Sequence, residues 1–335
     1  FREMIARDDI DAVVIATPDH WHALISNAAA RAKKDVYCEK PLCQSIREAE
    51  LMVKAVRDNN TVFQTGSMQR SSKEFRTACE LVRNGAIGKI SKVEVSVGGP
   101  GIPCNLPAEA AEPGLDWNLW LGPAPERPYH SELSPRGVHD HFPNWRRYRE
   151  YGGGMVTDWG AHHFDIAQWG LGMDDSGPSE IFPAEQPNAQ HGVRYRYANG
   201  VEVIHQSGNG VWFHGSEGRV HVNRGKFEFY KGNEQKASSP RDCDAIVAEF
   251  LPENATRLYH SDDHLGDWLN GIRTRRRPIC DVSVGAHTVI VCHLVNLAYY
   301  HGRKMKWDPK ALKFLDGTGD AKWLDVPHRD PWTLS

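Results

Sequence analysis

Short apolar runs alternate with longer amphipathic segments over the first third of the chain. Asp11-Ala-Val-Val-Ile-Ala-Thr17 contains a continuously apolar run, the mark of a strand buried on both faces. Pro18-Asp19 opens a helix reaching Ala32, Asp35-Val-Tyr-Cys38 reads as a second strand, and Ser45 with Glu48 forms a capping box for a helix over 46–58. Thr61-Val-Phe-Gln-Thr65 is a third strand, followed by a helix over 72–84 that stops at Gly85. Strands alternating with helices of this length predict a parallel sheet with helices on both faces.

After Gly88 the period changes. Lys89 to Val97 alternates like a half-buried strand, and strand-like runs recur at 191–197, 201–206, 210–214, 218–222 and 226–230. They predict a large, mostly antiparallel open sheet, covered by helices over 158–170, 264–274 and 284–300. Residues 100–150 are rich in Pro, Trp and His without a period, and read as an ordered excursion over a site. The fold class is thus α/β plus α+β: part of a Rossmann-type parallel sheet (1–87), a sheet domain (88–326), and a tail (327–335) expected to fold back on the body.

Composition narrows the function. With 335 residues, a formal charge of -3 and no long single-sign run, the chain suits two cores and gives no reason to expect a nucleic-acid or membrane partner. No apolar run reads as a membrane span, and seven scattered cysteines give neither a disulfide framework nor a metal knuckle. Eleven tryptophans and seventeen histidines favour a pocket for a polar ligand with apolar faces, such as a sugar.

Candidate chemistry gathers at the strand ends, where ligands of such sheets lie. Thr17-Pro18 with His20 and His22 follows the first strand, Glu39-Lys40-Pro41 the second, and Gln69-Arg70 the third. A lysine so placed can donate to a substrate oxygen. Later, three glycines lead into Asp158, His162, His163 and Asp165, whose four- and three-residue spacings put Asp158, His162 and Asp165 on one helix face. A carboxylate beside an imidazole suits proton transfer, and His163 points about 100° away from His162. Trp117, Trp120, His139, His141, Asn144, Trp145 and Arg146 are candidates for a sugar-binding wall. His139-x-His141 admits zinc, but no third ligand stands at diagnostic spacing, so no metal is expected.

Thr17-Pro-Asp-His-Trp-His22, Glu39-Lys40-Pro41 and Gly153-Gly154-x3-Asp158-x-Gly160-x-His162-x-x-Asp165 together resemble the Gfo/Idh/MocA oxidoreductases. Trp117–Pro123, Arg303–Pro309 and Arg329–Trp332 resemble the branch found in glycan-degrading environmental and gut bacteria. The resemblance implies NAD or NADP at the first domain, with Lys40 at the reacting oxygen, His162 as general acid/base and Asp158 orienting the substrate. It also implies that Glu39 and the Pro18 turn line the nicotinamide and its ribose. Thr17, Pro18, His20, His22, Glu39, Lys40 and Gln69 are accordingly the cofactor candidates. Arg70, Trp120, His139, His141, Asn144, Trp145, Arg146, Asp158, His162 and His163 are the substrate candidates.

The implied activity interconverts an alcohol and a ketone on a small sugar, polyol or glycoside. Alternatives are an NAD-assisted glycoside hydrolase or lyase working through a 3-keto sugar, and a non-catalytic sugar-binding protein. A dimer or tetramer through the open sheet, in the cytoplasm or, given an export signal, the periplasm, completes the expectation. The glycine-rich turn and ribose-binding acid of a dinucleotide fold do not occur in these residues. If they are truly absent from the protein, weak or no dinucleotide binding and no turnover is expected.

Overall fold

The computed structural model describes residues 1–137 and 143–334. The first sheet is parallel, in the order β1-β2-β3 (Ala12–Ile15, Asp35–Cys38, Phe63–Thr65), with all three C-terminal ends on one side. Helix α1 (Arg2–Ile5) precedes it, and α2 (Asp19–Arg31), α3 (Ile46–Asn59) and α4 (Lys73–Arg83) follow its strands. β2 is fully buried, as its apolar run demands, whereas β1 is the edge strand and leaves Val14 63% exposed, so burial on both faces holds for only part of it. The predicted capping box at α3 is half right. Ser45 Oγ accepts from the Glu48 amide at 3.1 Å, but Glu48 reaches past the cap to the Gln44 amide at 2.6 Å.

The second sheet has ten strands. Its members are β4 (Ile90–Ser96), β5 (Glu180–Phe182), β6 (Arg194–Arg196), β7 (Glu202–Gln206), β8 (Gly210–Gly215), β9 (Gly218–Asn223), β10 (Lys226–Lys231), β11 (Glu234–Ala237), β12 (Met305–Asp308) and β13 (Lys313–Phe314). Their spatial order is β11-β10-β9-β8-β4-β7-β6-β5-β12-β13, antiparallel except for the β4–β7 pair. The short or polar strands β5 and β11–β13 carry too little alternation to be read from sequence.

The remaining helices are α5 (Trp117–Leu121), α6 (Met155–Asp158), α7 (Gly160–Leu171), α8 (Cys243–Phe250), α9 (His264–Thr274) and α10 (Val282–His301). α7 packs against α4 and α10 and against strands β4 and β8, which leaves every residue from Gly160 to Gly170 buried. α10 corrects the expectation about apolar runs. By length and composition it would span a membrane, yet 72% of its most apolar window is buried in the protein, as a helix apolar on all sides must be in a core. It meets β3 so closely that a Cβ on Gly285 would collide with the Thr65 side chain.

Leu121, Ala124, Leu133, Trp145, Tyr148 and Tyr151 form a satellite core under the 100–150 excursion, separate from the main core. The tail lies against the body: Arg329 donates to the Asn118 side chain and carbonyl, each at 2.7 Å, and Trp332 packs edge-on to Trp21 at 5.0 Å. His328 sits 2.7 Å from the Glu48 carboxylate. Burial lowers the His328 pKa, but Glu48 and Asp325 outweigh it and the net shift is upward. A raised imidazole pKa contributes stability that is complete below the unfolded value near 6.5 and disappears as pH rises through the folded value. Hydrogen-exchange protection of residues 325–334, corrected for intrinsic rate, is therefore expected to fall with rising pH in the wild type and to stay flat in His328→Gln. Identical profiles would refute the latch.

Candidate active site

The turns after the three parallel strands open toward α6 and α7. Lys40, just beyond β2, donates to Asp158 Oδ1 at 2.6 Å and to the Asp158 carbonyl at 3.1 Å, so one ammonium ties the first sheet to the end of α6. Arg146 Nε lies 3.9 Å from the same Oδ1. The glycines before α6 are sterically required. Gly154 has φ +69°, and a Cβ there would collide with the Pro100–Gly101 backbone; a Cβ on Gly152 would come within 2.7 Å of the Arg146 carbonyl oxygen. The chain turns at Trp159, and α7 begins at Gly160.

His162 is 3% exposed, with Nε2 at 2.9 Å from Arg224 Nη2 and Nδ1 without a hydrogen-bond partner among the described residues. Burial, then the cations Lys40 and Arg224, then His163 and His264, hold its pKa well below 6.5. His163 faces elsewhere, as its spacing predicts: Nε2 meets Asn209 Oδ1 at 2.5 Å and the ring stacks on Trp159, with burial taking its pKa to about 4. Asp165, on the same helix, turns inward to a buried ionic cluster. Its two oxygens take Arg70 Nε and Nη2, both at 2.8 Å, and Thr288 Oγ1 adds a bond at 2.9 Å; Asp174 also grips Arg70, at 2.6 and 2.9 Å.

Several sequence candidates are thereby corrected. Arg70 is 2% exposed and saturated by two carboxylates, so it has no face for substrate. His22 is a brace rather than a cofactor contact: its Nδ1 lies 2.8 Å from the Pro41 carbonyl and its Nε2 2.9 Å from that of Thr17. Burial lowers its pKa to about 4, and the neutral ring donates to one of the two carbonyls at a time. His20 turns to the Trp120 carbonyl at 2.9 Å and stands among Trp21, Trp120 and Tyr151.

Trp145 is buried in the satellite core, and Trp120 stacks on Trp117 at 4.7 Å, so these rings anchor the excursion to itself. Asn144 borders a separate hollow with Glu109, His130 and Arg136. Gln69 lies behind His162; with its amide turned to suit both neighbours it donates to the His162 carbonyl at 3.3 Å and accepts from Arg224 Nε at 3.2 Å. His139 and His141 lie outside the described residues. The cluster that does assemble is Lys40, Asp158, His162 and Arg146, beside Thr17 and Glu39.

Two residues adjoining this cluster escape sequence reading. Asp19 reads as an ordinary acid in a helix's first turn, yet it is 4% exposed, and burial and the neighbouring Asp158 raise its pKa well above the usual range. Arg224 sits on a hairpin turn remote in sequence, where nothing marks it.

Comparison with known proteins decides the family. The model of the oxidoreductase family's C-terminal alpha/beta domain matches residues 101–334, and that of its NAD-binding Rossmann fold matches 1–67. The chain belongs to the Gfo/Idh/MocA oxidoreductase family. Within it, the chain is similar to levoglucosan dehydrogenase of Pseudarthrobacter phenanthrenivorans, 41% identical over 90 residues, which is 27% of this chain and 23% of that protein. It is also similar to 1,5-anhydro-D-fructose reductase of Ensifer adhaerens, 27% identical over 213 residues, which is 63% of this chain and 52% of that one. The matches thus span less than two thirds of either relative. Among solved structures, the aldose-aldose oxidoreductase of Caulobacter crescentus, complexed with glycerol, superposes with a TM-score of 0.60 at 19% identity, covering 91% of this chain and 82% of that one. That likeness supports the Gfo/Idh/MocA fold alone.

The ionic cluster beneath the site has a measurable weight. Removing one partner of a buried pair leaves an uncompensated charge, so Asp165→Ala is expected to lower the unfolding free energy by about 3–5 kcal/mol in urea titrations. A loss below about 1 kcal/mol, the worth of an exposed pair, would contradict this account.

Proposed function

We propose that this chain carries the substrate site of an NAD(P)-dependent oxidoreductase that interconverts a secondary alcohol and a ketone on a sugar, polyol or glycoside. The observation that carries the reading is the Lys40–Asp158 contact of 2.6 Å at a parallel strand end, with a buried neutral imidazole one helical turn away. Structural and enzymatic relatives with sugar or polyol names support it.

The residues present suit the nicotinamide end of the cofactor. Thr17 Oγ1 is buried without a partner, and Gly66 leaves room for the Glu39 carboxylate, whose Oε2 a Cβ there would meet at 2.7 Å. Thr17, Glu39 and Lys40 are the groups that would hold it. Bound there, the oxidised nicotinamide supplies the hydride acceptor. The chain's own part is proton and charge handling. Lys40 donates to the substrate oxygen and favours the negative charge that develops on it. Asp158 fixes that ammonium and offers its other oxygen to a hydroxyl. His162 Nε2 takes the hydroxyl proton as the C=O bond forms, and returns it in the reverse direction. The open face of the ten-stranded sheet, where Trp212 stacks on His221 at 4.6 Å, is the proposed oligomer surface.

His162→Asn is expected to lower kcat by about 10²–10⁴-fold with an unchanged circular-dichroism melt; near-normal turnover of a sugar panel with NAD and NADP would refute the assignment. Appearance of NADH or NADPH distinguishes dehydrogenation from glycoside cleavage without net cofactor consumption. The pH profile is a separate check. Because the base is active when neutral and its pKa is depressed, oxidation should persist below the ordinary imidazole range near 6.5 and fail only as pH drops through the lowered value. An acid limb at or above that range would contradict the buried, cation-flanked imidazole.

A further inference from the structure

The turn joining β9 and β10 carries a cation that the chemistry above does not use. Arg224 is exposed, yet its guanidinium lies 4.7 Å above the Trp159 ring and its Nη2 2.9 Å from His162 Nε2. A guanidinium has no lone pair to offer, so His162 Nε2 accepts and the imidazole proton resides on Nδ1. The lone pair that should receive a hydroxyl proton is therefore already engaged. Arg224 has no carboxylate partner at ion-pair distance among the described residues; Glu74, beside the turn, accepts from the Gly225 amide at 3.3 Å instead. The other acids nearby are committed: Asp158 holds Lys40 and approaches Arg146, while burial raises the pKa of both Asp19 and Glu39. Lys40 and Arg146 thus share one carboxylate, Asp158, and Arg224 adds a third cation at His162, so the cleft has a surplus of positive charge.

We propose that Arg224 is the receptor for an anionic group on the substrate, a carboxylate as in a uronate or aldonate, and that binding it draws the guanidinium off His162 and frees Nε2 to act as the base. A carboxylate takes a guanidinium through two parallel charge-assisted bonds, which outweigh one bond to a neutral imidazole. The chain thereby couples recognition to activation: an acidic sugar uncovers the base, whereas a neutral sugar of the same shape leaves it capped. The second half of this inference rests on the reading of His162 as the base.

The test uses matched pairs, D-glucuronate with D-glucose, D-galacturonate with D-galactose, and D-gluconate with sorbitol. Each is titrated calorimetrically into wild type, Arg224→Gln and Arg224→Lys, while nitrogen-15 NMR follows the His162 ring. A hydrogen bond between charged groups contributes about 1.5–3 kcal/mol, so the acidic member of at least one pair should bind wild type about ten- to a hundredfold more tightly. Arg224→Gln should abolish that preference and Arg224→Lys restore part of it, and the His162 Nε2 signal should move with the acid and not with its neutral partner. The turn is exposed, and the Lys variant keeps the charge, so loss of folding is separable from loss of the receptor. An equal preference in wild type and Arg224→Gln, or no Arg224-dependent preference in any pair, overturns the receptor. Acid binding with an unmoved Nε2 signal overturns the uncapping. These are equilibrium readouts. If neither sugar class is oxidised while the Arg224-dependent preference stands, the dehydrogenase reading fails and the anion receptor survives.

Discussion

The buried guanidinium of Arg70 is the fastening on which the rest depends. It leaves the loop after β3, in the parallel sheet, and is clamped by Asp165 on α7 and Asp174 just beyond that helix. A charge removed from water this completely is tolerable only with near-ideal partners, and Arg70 has two carboxylates, one of them also held by Thr288 on α10. Three elements thus share one electrostatic knot. Because Asp165 lies three residues from His162 on a helix buried all round, the knot also fixes how deep and at what rotation the imidazole stands.

Above the knot, the cleft is held by a lighter contact of the same kind. Lys40 spans from the parallel sheet to Asp158, at the helical turn immediately before His162. Two acids with opposite fates flank it. Asp158 meets the cations Lys40 and Arg146, while Asp19 is buried nearby, where burial and its neighbour's charge favour the proton-bound form. The same environment separates the two histidines: both are kept neutral, but only His162 has its outward nitrogen within reach of the cations, and His163 is held by Asn209.

Legibility in the sequence followed the range of the physical signal. The parallel strands, their helices and the strands from β7 to β10 were readable because hydrophobic period and turn residues are local. The Lys40, Asp158 and His162 positions were readable because they fall at strand ends or helical spacings. Distance in the chain defeated the rest. No local pattern says that Arg70 will be buried by an acid 104 residues later, or that His20 will turn to a carbonyl 100 residues away rather than to a ligand. Aromatic crowding pointed to this region, but no local pattern says that Trp117 and Trp120 will stack on each other or that Trp145 will be buried in the satellite core. The membrane-length apolar character of α10 went unread because a helix interior to a protein and one interior to a bilayer share a composition.

The satellite core under residues 100–150 has a consequence for how the molecule breathes. Its buried side chains do not merge with the main core, and small, separate hydrophobic clusters open at lower cost than the body they rest on. Arg146 rides on this unit while Lys40, Asp158 and His162 belong to the rigid body. The cleft therefore draws on two hydrophobic units, the main core beneath Lys40, Asp158 and His162 and the smaller one that carries Arg146. Local opening of the smaller unit can reshape the side of the cleft that Arg146 lines while the Lys40–Asp158–His162 geometry stays fixed.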